Sequence, residues 1–406
     1  MTLIPQNCQI CGCADWEYIG TLTTGVWDKS KADLTRNELL LPLGKCDSCG
    51  HVQMTIQYTK ELFELLYFTD VSPPSIFFVP NEHEASPYEQ MIEFFSAQLN
   101  VHTNIVDFGC GAGNTFKALN KQNIKLGSMT GVDFNPLIEE PNVNMLAWDL
   151  NKLDEIPRQH WPDGIDLAIS THVLEHVVDP VLFLTLIAKQ LSESGKIFIE
   201  IPDCSHNVNF ENIAFTNVVH GQHIHYYTKQ SVQMIANKAG LKVTKIRQLT
   251  SRIIPRLQVM LEKSTKENLT NHIQENAVAA VKQQLSQVTA HHLCLVNQLK
   301  SSIVRDGQAA LWGLGGDTYQ ILKHYPELVP LLTDNKLLLF DLELAGHNYL
   351  GVKIQSSKQL ESLSINIFIS PLFAPTREKM LMVSHDWNSE VIDPYKGNWD
   401  LNGLEC

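Results

Sequence analysis

Apolar and polar positions alternate differently along different parts of this chain. Residues 1 to about 60 are polar and short of candidate core positions. From Ser86, the stretch SPYEQMIEFFSAQL places Tyr88, Ile92, Phe95 and Leu99 near one face of a helix, the spacing of an amphipathic segment. NIVDF then reads as a buried strand, and NTFKAL opens a helix after a Gly-rich turn. The apolar runs in MTGVDF, VNMLA, GIDLAIS and GKIFIEIP predict four further strands. Strands that alternate with helices predict a parallel α/β sheet covered on both faces. YTKQSVQMIANKAG predicts one more helix, with Thr228 as its N-cap and Gly240 at its end. Residues 268–304 carry a long helical pattern. After it the strand, Gly-rich turn and helix recur in GQAALWGLGGDTYQIL, followed by a strand ending at Asp341 and a third strand in INIFIS. The pattern predicts a second, Rossmann-like α/β domain, in which Gly313, Gly315 and Gly316 make either a plain tight turn or a phosphate contact.

Composition narrows the class. The chain has 406 residues, 44% hydrophobic and 18% charged, as in a globular protein of two or three domains. A formal net charge of −13 argues against general nucleic-acid or anionic-membrane binding, since both need a basic face. MTLIPQN has neither a basic nor an apolar signal region, and runs such as INIFISPLFAP are too short to span a bilayer, so a cytoplasmic protein is expected. Among nine cysteines, Cys8 and Cys11 lie in NCQICGC, and Cys46 and Cys49 in KCDSCGH. Two Cys-x-x-Cys-Gly knuckles suit one closed, tetrahedral, structural zinc site. Cys13 and His51 lie nearby but are not expected to be ligands.

The first Gly-rich turn contains Gly109, Gly111 and Gly113, and Asp133 ends the next strand. This layout suits a nucleotide, and NAD is a rival cofactor. The pattern, however, is Asp-x-Gly-x-Gly-x-Gly from Asp107, and the third strand runs into Trp148 and Asp149. The fourth runs into Thr171, His172, Glu175 and His176. In order, VDFGCGAGN, GVDFNP, AWDL and DLAISTHVLEHVVDP resemble the motifs of class I S-adenosylmethionine-dependent methyltransferases. The resemblance implies that Asp107 and the three glycines hold the methionine end of the cofactor, Asp133 the ribose, and Trp148 with Asp149 the adenine. His172 is a candidate pocket residue, whereas Glu175 and His176 are expected to fix a loop.

VVHGQHIHYYTKQ brings His220, His223 and His225 within six positions. They are metal ligands, a base with its neighbours, or structural residues. Their place, before a helix and after the fifth strand, is the carboxyl side of the sheet, where ligands gather. The whole chain resembles the three-domain C-methyltransferases of deoxysugar biosynthesis, which implies a zinc-binding module (1–75), a methyltransferase domain (76–265) and a linking helix with a Rossmann-like domain (266–406). The resemblance implies a nucleotide-linked keto-deoxysugar as substrate and His223 as general base, with His220, Gln222 and Tyr226 in the acceptor pocket. Where that family has Tyr and Glu, this chain has His220 and Gln222. Without that Glu, either the base is weaker or another partner takes its place. Alternatives are O- or N-methylation of a small metabolite, an NAD-dependent oxidoreductase, or a non-enzymatic zinc-containing binding module.

Overall fold

The computed structural model describes residues 3–68, 87–135, 140–156, 158–205, 218–249, 254–264 and 272–395. The expected domain boundaries near 75 and 265 fall outside these residues. The chain forms two compact units. One comprises Met1–Thr21, Pro42–Val208 and Gly221–Val281, the other Leu22–Leu41, Asn209–His220 and Lys282–Cys406.

The amino-terminal segment has more core than its composition suggested. Strands β1 (Trp16–Asp28), β2 (Thr35–Cys46) and β3 (Val52–Met54) run side by side. Along β2, Leu39, Leu41 and Leu43 are buried while Leu40 is exposed, the two-residue period of a strand. Trp27 and Leu34, at the far end of this ribbon, belong to the core of the second unit. Helix α1 (Lys60–Phe68) follows β3.

Next come α2 (Pro87–Phe95), β4 (Asn104–Phe108), α3 (Asn114–Lys121), β5 (Ser128–Asp133), β6 (Val143–Ala147), β7 (Ile165–Thr171), α4 (Pro180–Gln190) and β8 (Leu191–Pro202). After β9 (His225–Tyr226) lie α5 (Lys229–Lys238), β10 (Leu241–Leu249) and β11 (Arg256–Lys263). Seven of the strands form one sheet in the order β10-β11-β8-β7-β4-β5-β6. β4 to β8 are parallel, and β11 is antiparallel to both neighbours. Buried side chains cover one face with Met91, Phe95, Phe116 and Leu119 and the other with Leu184, Ile187 and Ile235. This two-sided burial explains why the parallel strands read as continuous apolar runs. Thr228 caps α5 through a reciprocal pair with Ser231, and Gly240 follows the helix at φ +72°. The expected caps are therefore both present.

In the second unit the sheet order is Gln355–Ser356, β13 (Leu337–Asp341), β12 (Ala309–Trp312), Asn366–Ile369 and Val391–Ile392, all parallel. The long helix α6 spans Val278–Asp306. Residues 268–271 of its predicted start lie outside the described residues, and 272–277 are not helical. There the Gln230 side chain accepts from the amides of Gln274 and Glu275, and Asn276 accepts from Val278. Such side-chain acceptors compete with the helical ladder. Helix α7 (Gly316–His324) follows the second Gly-rich turn, where Gly313 has φ +98°. The Asp341 carboxylate accepts from the amides of Leu314, Glu343 and Leu344, so it holds its own loop. Among the described residues, no helix is long and apolar enough to cross a membrane.

Candidate active site

β4 ends in the first Gly-rich turn because its glycines adopt positive-φ backbone conformations that other residues rarely take. Gly109 has φ +85°, and a Cβ there would strike Val173. Gly111 has φ +48°, and a Cβ there would meet nothing within 4 Å. The turn therefore packs tightly on one side and is open on the other. Asp133, at the end of β5, closes the turn: its carboxylate accepts from Gly111 N at 2.9 Å and from Asn135 N at 3.1 Å. Trp148 N donates to Asp133 O at 2.8 Å, which brings the ends of β5 and β6 together. Asp149 caps the turn after β6, accepting from Asn151 N at 3.0 Å. Asp107 is 2% exposed. Burial pushes its carboxyl up to about 7, and one oxygen has no hydrogen-bond partner among the described residues. A cationic donor, such as an amino group, would satisfy that oxygen. The expected cofactor residues Asp107, Gly109, Gly111, Gly113, Asp133, Trp148 and Asp149 thus sit at neighbouring strand ends on one edge of the sheet.

Beyond β7, His172 takes φ +53°, a conformation uncommon for a residue with a side chain. Its Nδ1 lies 3.3 Å from Glu175 Oε1, and its Nε2 lies 3.5 Å from Glu200 Oε1. Arg256 donates to Glu200 at 3.0 Å, and Gln258 donates to the other Glu200 oxygen. Burial opposes charge on His172, but the two carboxylates outweigh it and raise its pKa to about 9. Burial also opposes the Glu200 charge, yet His172, Arg256 and Gln258 hold its carboxyl below the usual range. His172 therefore belongs to a buried ionic chain.

This arrangement has a measurable consequence. In the unfolded chain His172 loses its proton near pH 6.5, while in the fold it keeps it up to about 9. Its contribution to stability is complete below pH 6.5 and is lost as pH rises through about 9. The expected loss from this group is at most about 3 kcal/mol. Denaturant titrations of wild type and His172→Gln across that window should show a steeper decline in the wild type, and parallel curves would exclude this role.

His223 Nε2 and His176 Nε2 each lie 3.9 Å from Glu175 Oε1, and the two imidazole centroids are 4.7 Å apart. His176 Nδ1 is 2.9 Å from Gln222 O and 2.7 Å from Tyr67 Oη. Burial lowers the His176 pKa. Glu175 and His176 do hold loop segments, through Glu175 O and His176 Nδ1, and Tyr67 was not foreseen, since nothing in α1 marks it. A ligand atom from each of Glu175, His176 and His223 falls within 4.8 Å of the others, so His223 has a carboxylate and a second imidazole near it as possible co-ligands. The 3.9 Å edges are wider than the roughly 3.3 Å between ligands of a tetrahedral site with bonds of about 2.0 Å.

The other histidines separate. His225 is buried, with Nδ1 3.1 Å from His51 Nε2 and Nε2 3.2 Å from Val178 O. Burial lowers its pKa to about 4, so it stays neutral and structural. Gln222 Nε2 donates to Leu66 O at 2.9 Å. Tyr226 is buried, and its hydroxyl has no partner among the described residues. His220 is half-buried and falls in the second compact unit.

At the amino terminus the sulfurs of Cys8, Cys11, Cys46 and Cys49 all lie within 4.8 Å of one another. Cys8 and Cys49 sulfurs are 3.6 Å apart, and those of Cys11 and Cys46 3.4 Å. These separations are far beyond a disulfide bond and close to the roughly 3.8 Å edge of a tetrahedral zinc site with bonds of about 2.3 Å. Gly12 N donates to Cys8 O and Gly50 N to Cys46 O, with the two glycines at φ +78° and +79°. The donor set fits zinc. Cys13 instead accepts from Asp15 N, and His51 pairs with His225.

A parallel sheet with one antiparallel strand near its edge, and a Gly-rich turn closed by an acidic side chain, define a class I methyltransferase domain. Residues 81–246 match the sequence profile of a family described as a methyltransferase domain. The chain therefore contains an S-adenosylmethionine-dependent methyltransferase domain. Similar solved structures include the 1,6-didemethyltoxoflavin-N1-methyltransferase of Burkholderia thailandensis, at 18% identity over 44% of this chain and 78% of that one, with a TM-score of 0.33. The CcbJ methyltransferase of Streptomyces caelestis is similar at 12% identity over 46% and 94%, with a TM-score of 0.34. An S-adenosylmethionine-dependent methyltransferase of Clostridium acetobutylicum is similar at 12% identity over 44% and 90%, with a TM-score of 0.32. No curated protein matches the chain.

Proposed function

We propose that this chain is a C-methyltransferase acting on a nucleotide-linked keto-deoxysugar, with His223 as the general base. The observation that carries this reading is the placement of His223. It is 4% exposed and set against the carboxylate of Glu175, which belongs to the turn whose Val173 packs on Gly109 of the donor loop. Bound S-adenosylmethionine supplies an activated methyl carbon. Asp107 with the loop glycines holds its methionine end, Asp133 the ribose, and Trp148 with Asp149 the adenine. His223 takes the α-proton of the keto sugar, and the C–H electron pair moves into the enolate. Of the pocket candidates, Tyr226 is the best enolate donor, because its buried hydroxyl has no other partner among the described residues, whereas Gln222 is engaged by Leu66 O. His172 charges the network behind the acceptor pocket. The four cysteines hold a structural zinc within a three-module division at 1–75, 76–265 and 266–406. The partner is a small molecule, and neither nucleic acid nor a membrane is required.

Two measurements test this reading. Asp133→Ala removes the acceptor that closes the Gly111 turn, a charge-assisted contact worth roughly 1.5–3 kcal/mol. Calorimetry should show S-adenosylmethionine affinity falling about tenfold or more, and unchanged affinity, or tight NAD binding by the wild type, would refute the donor assignment. For the acceptor, the protein with S-adenosylhomocysteine and nucleotide-linked keto-deoxysugars in deuterated water should exchange the α-proton. Methyl transfer without exchange would point to oxygen or nitrogen as the acceptor.

A further inference from the structure

We infer that Glu175 is the positioning carboxylate of His223, holding the imidazole and stabilising the charge it gains on taking the substrate proton. This inference rests on His223 being the base. The family to which the whole chain bears a resemblance has a Glu at the position of Gln222, beside the base. Here the Gln222 side chain is turned to Leu66 O and brings no charge. The fold supplies a carboxylate from elsewhere, the turn after β7.

Glu175 is fully buried, with Oε1 3.9 Å from His223 Nε2. That distance is too long for a hydrogen bond and short enough for strong attraction between charges away from water. Its second oxygen, Oε2, is buried with no hydrogen-bond partner among the described residues. A buried carboxylate in that state needs a cation near it. His172 provides one, 3.3 Å from the same Oε1, itself backed by Glu200 and Arg256. Backbone contacts lock the same place: His172 N donates to Glu200 O, and the amides of Ile224 and His225 both donate to Glu175 O. The backbone of Glu175 thus fixes the segment that carries His223, while its side chain faces the imidazole.

Among the described residues, the neighbouring His176, Tyr67, Tyr58 and Cys204 bring no negative charge. Burial keeps His176 below its ordinary pKa. Burial also pushes the Tyr67, Tyr58 and Cys204 hydroxyl and thiol groups up. Among the described residues, Glu175 is the carboxylate that faces His223. In the step itself, the α C–H bond breaks, the electron pair passes to the enolate oxygen, and the proton forms an N–H bond on His223. The imidazolium faces Glu175, which is not protonated in the process.

The test is a double-mutant cycle on the full chain. Glu175→Gln should lower kcat for methyl transfer and α-proton exchange by about 10–100-fold, with substrate KM and S-adenosylmethionine affinity near wild type. The acid limb of the kcat/KM profile should move to lower pH, because a base without its anion is less basic. The loss should vanish in a His223→Asn background. Glu175→Asp, which withdraws the carboxylate, should give a smaller loss and a smaller shift, and it serves if the Gln variant does not fold. A wild-type rate and acid limb in either folded variant, with His223→Asn still inactive, would overturn the Glu175 assignment alone. Equal losses in both backgrounds would make its role structural. A stoichiometric divalent ion held by Glu175, His176 and His223 would also overturn it. Near-normal turnover in His223→Asn would remove the base reading and this inference together.

Discussion

His223→Asn should slow methyl transfer roughly 10²–10⁴-fold, the contribution expected of a positioned general base. A sulfonium donor is already activated, so an oxygen or nitrogen nucleophile needs mainly alignment. A carbon nucleophile needs its proton removed first, and an imidazole near neutral pH can do this. Asn retains a polar shape of similar reach but cannot accept the proton. The substitution lies away from Asp107, Asp133 and Asp149, so calorimetry should find S-adenosylmethionine affinity near wild type. Deuterium exchange at the α-carbon should stop along with turnover. His225→Asn is the control: that side chain is spent on His51 and Val178 O. It should alter stability more than turnover. If His223→Asn turned over normally, the base would have to be sought elsewhere.

The zinc proposed for the cysteine cluster should have the largest effect on stability when it is removed. Structural zinc sites contribute about 10–16 kcal/mol of apparent binding free energy near neutral pH, and that energy is coupled to folding. Elemental analysis should find one zinc per chain, and Cys46→Ser should lose it. Cys46 is fully buried, its sulfur is 3.4 Å from Cys11, and its backbone pairs with His51 and Gly50. Loss of the ion leaves four crowded thiols with no cation between them. Proteolysis should then cut within residues 1–60, while S-adenosylmethionine affinity changes little, because the donor residues lie on other elements. Purified protein with no metal and a protease-resistant amino terminus would exclude the zinc assignment.

Much of this organisation was legible locally. Parallel strands buried on both faces must be apolar throughout, so NIVDF, GVDF, DLAIS and KIFIEI announced the sheet. The donor turn was legible because only glycine combines positive φ with close packing, as at Gly109 against Val173. Two Cys-x-x-Cys-Gly knuckles announced their pairing because four soft ligands at that spacing suit one ion. Thr228 and Gly240 marked the ends of α5 through capping that involves near neighbours.

What escaped the sequence depends on residues far apart in the chain. The core of β2 was hidden because Leu39, Leu41 and Leu43 follow a strand period within a segment judged by its polar average. The start of α6 was misplaced because Gln230, more than forty positions away, captures two of its preceding amides. The three histidines 220, 223 and 225 look equivalent in sequence. Tertiary contacts separate them: His51, brought from β3's approach, claims His225, while the β7 turn sets Glu175 beside His223. Tyr67 joins His176 across 109 positions. Periodicity, glycine conformation and ligand spacing act over a few residues, so the chain itself determined the sheet, the donor loop and the cysteine cluster. Charge pairing and burial act through space, so only the folded structure decided which histidine has a carboxylate and which is spent on the scaffold.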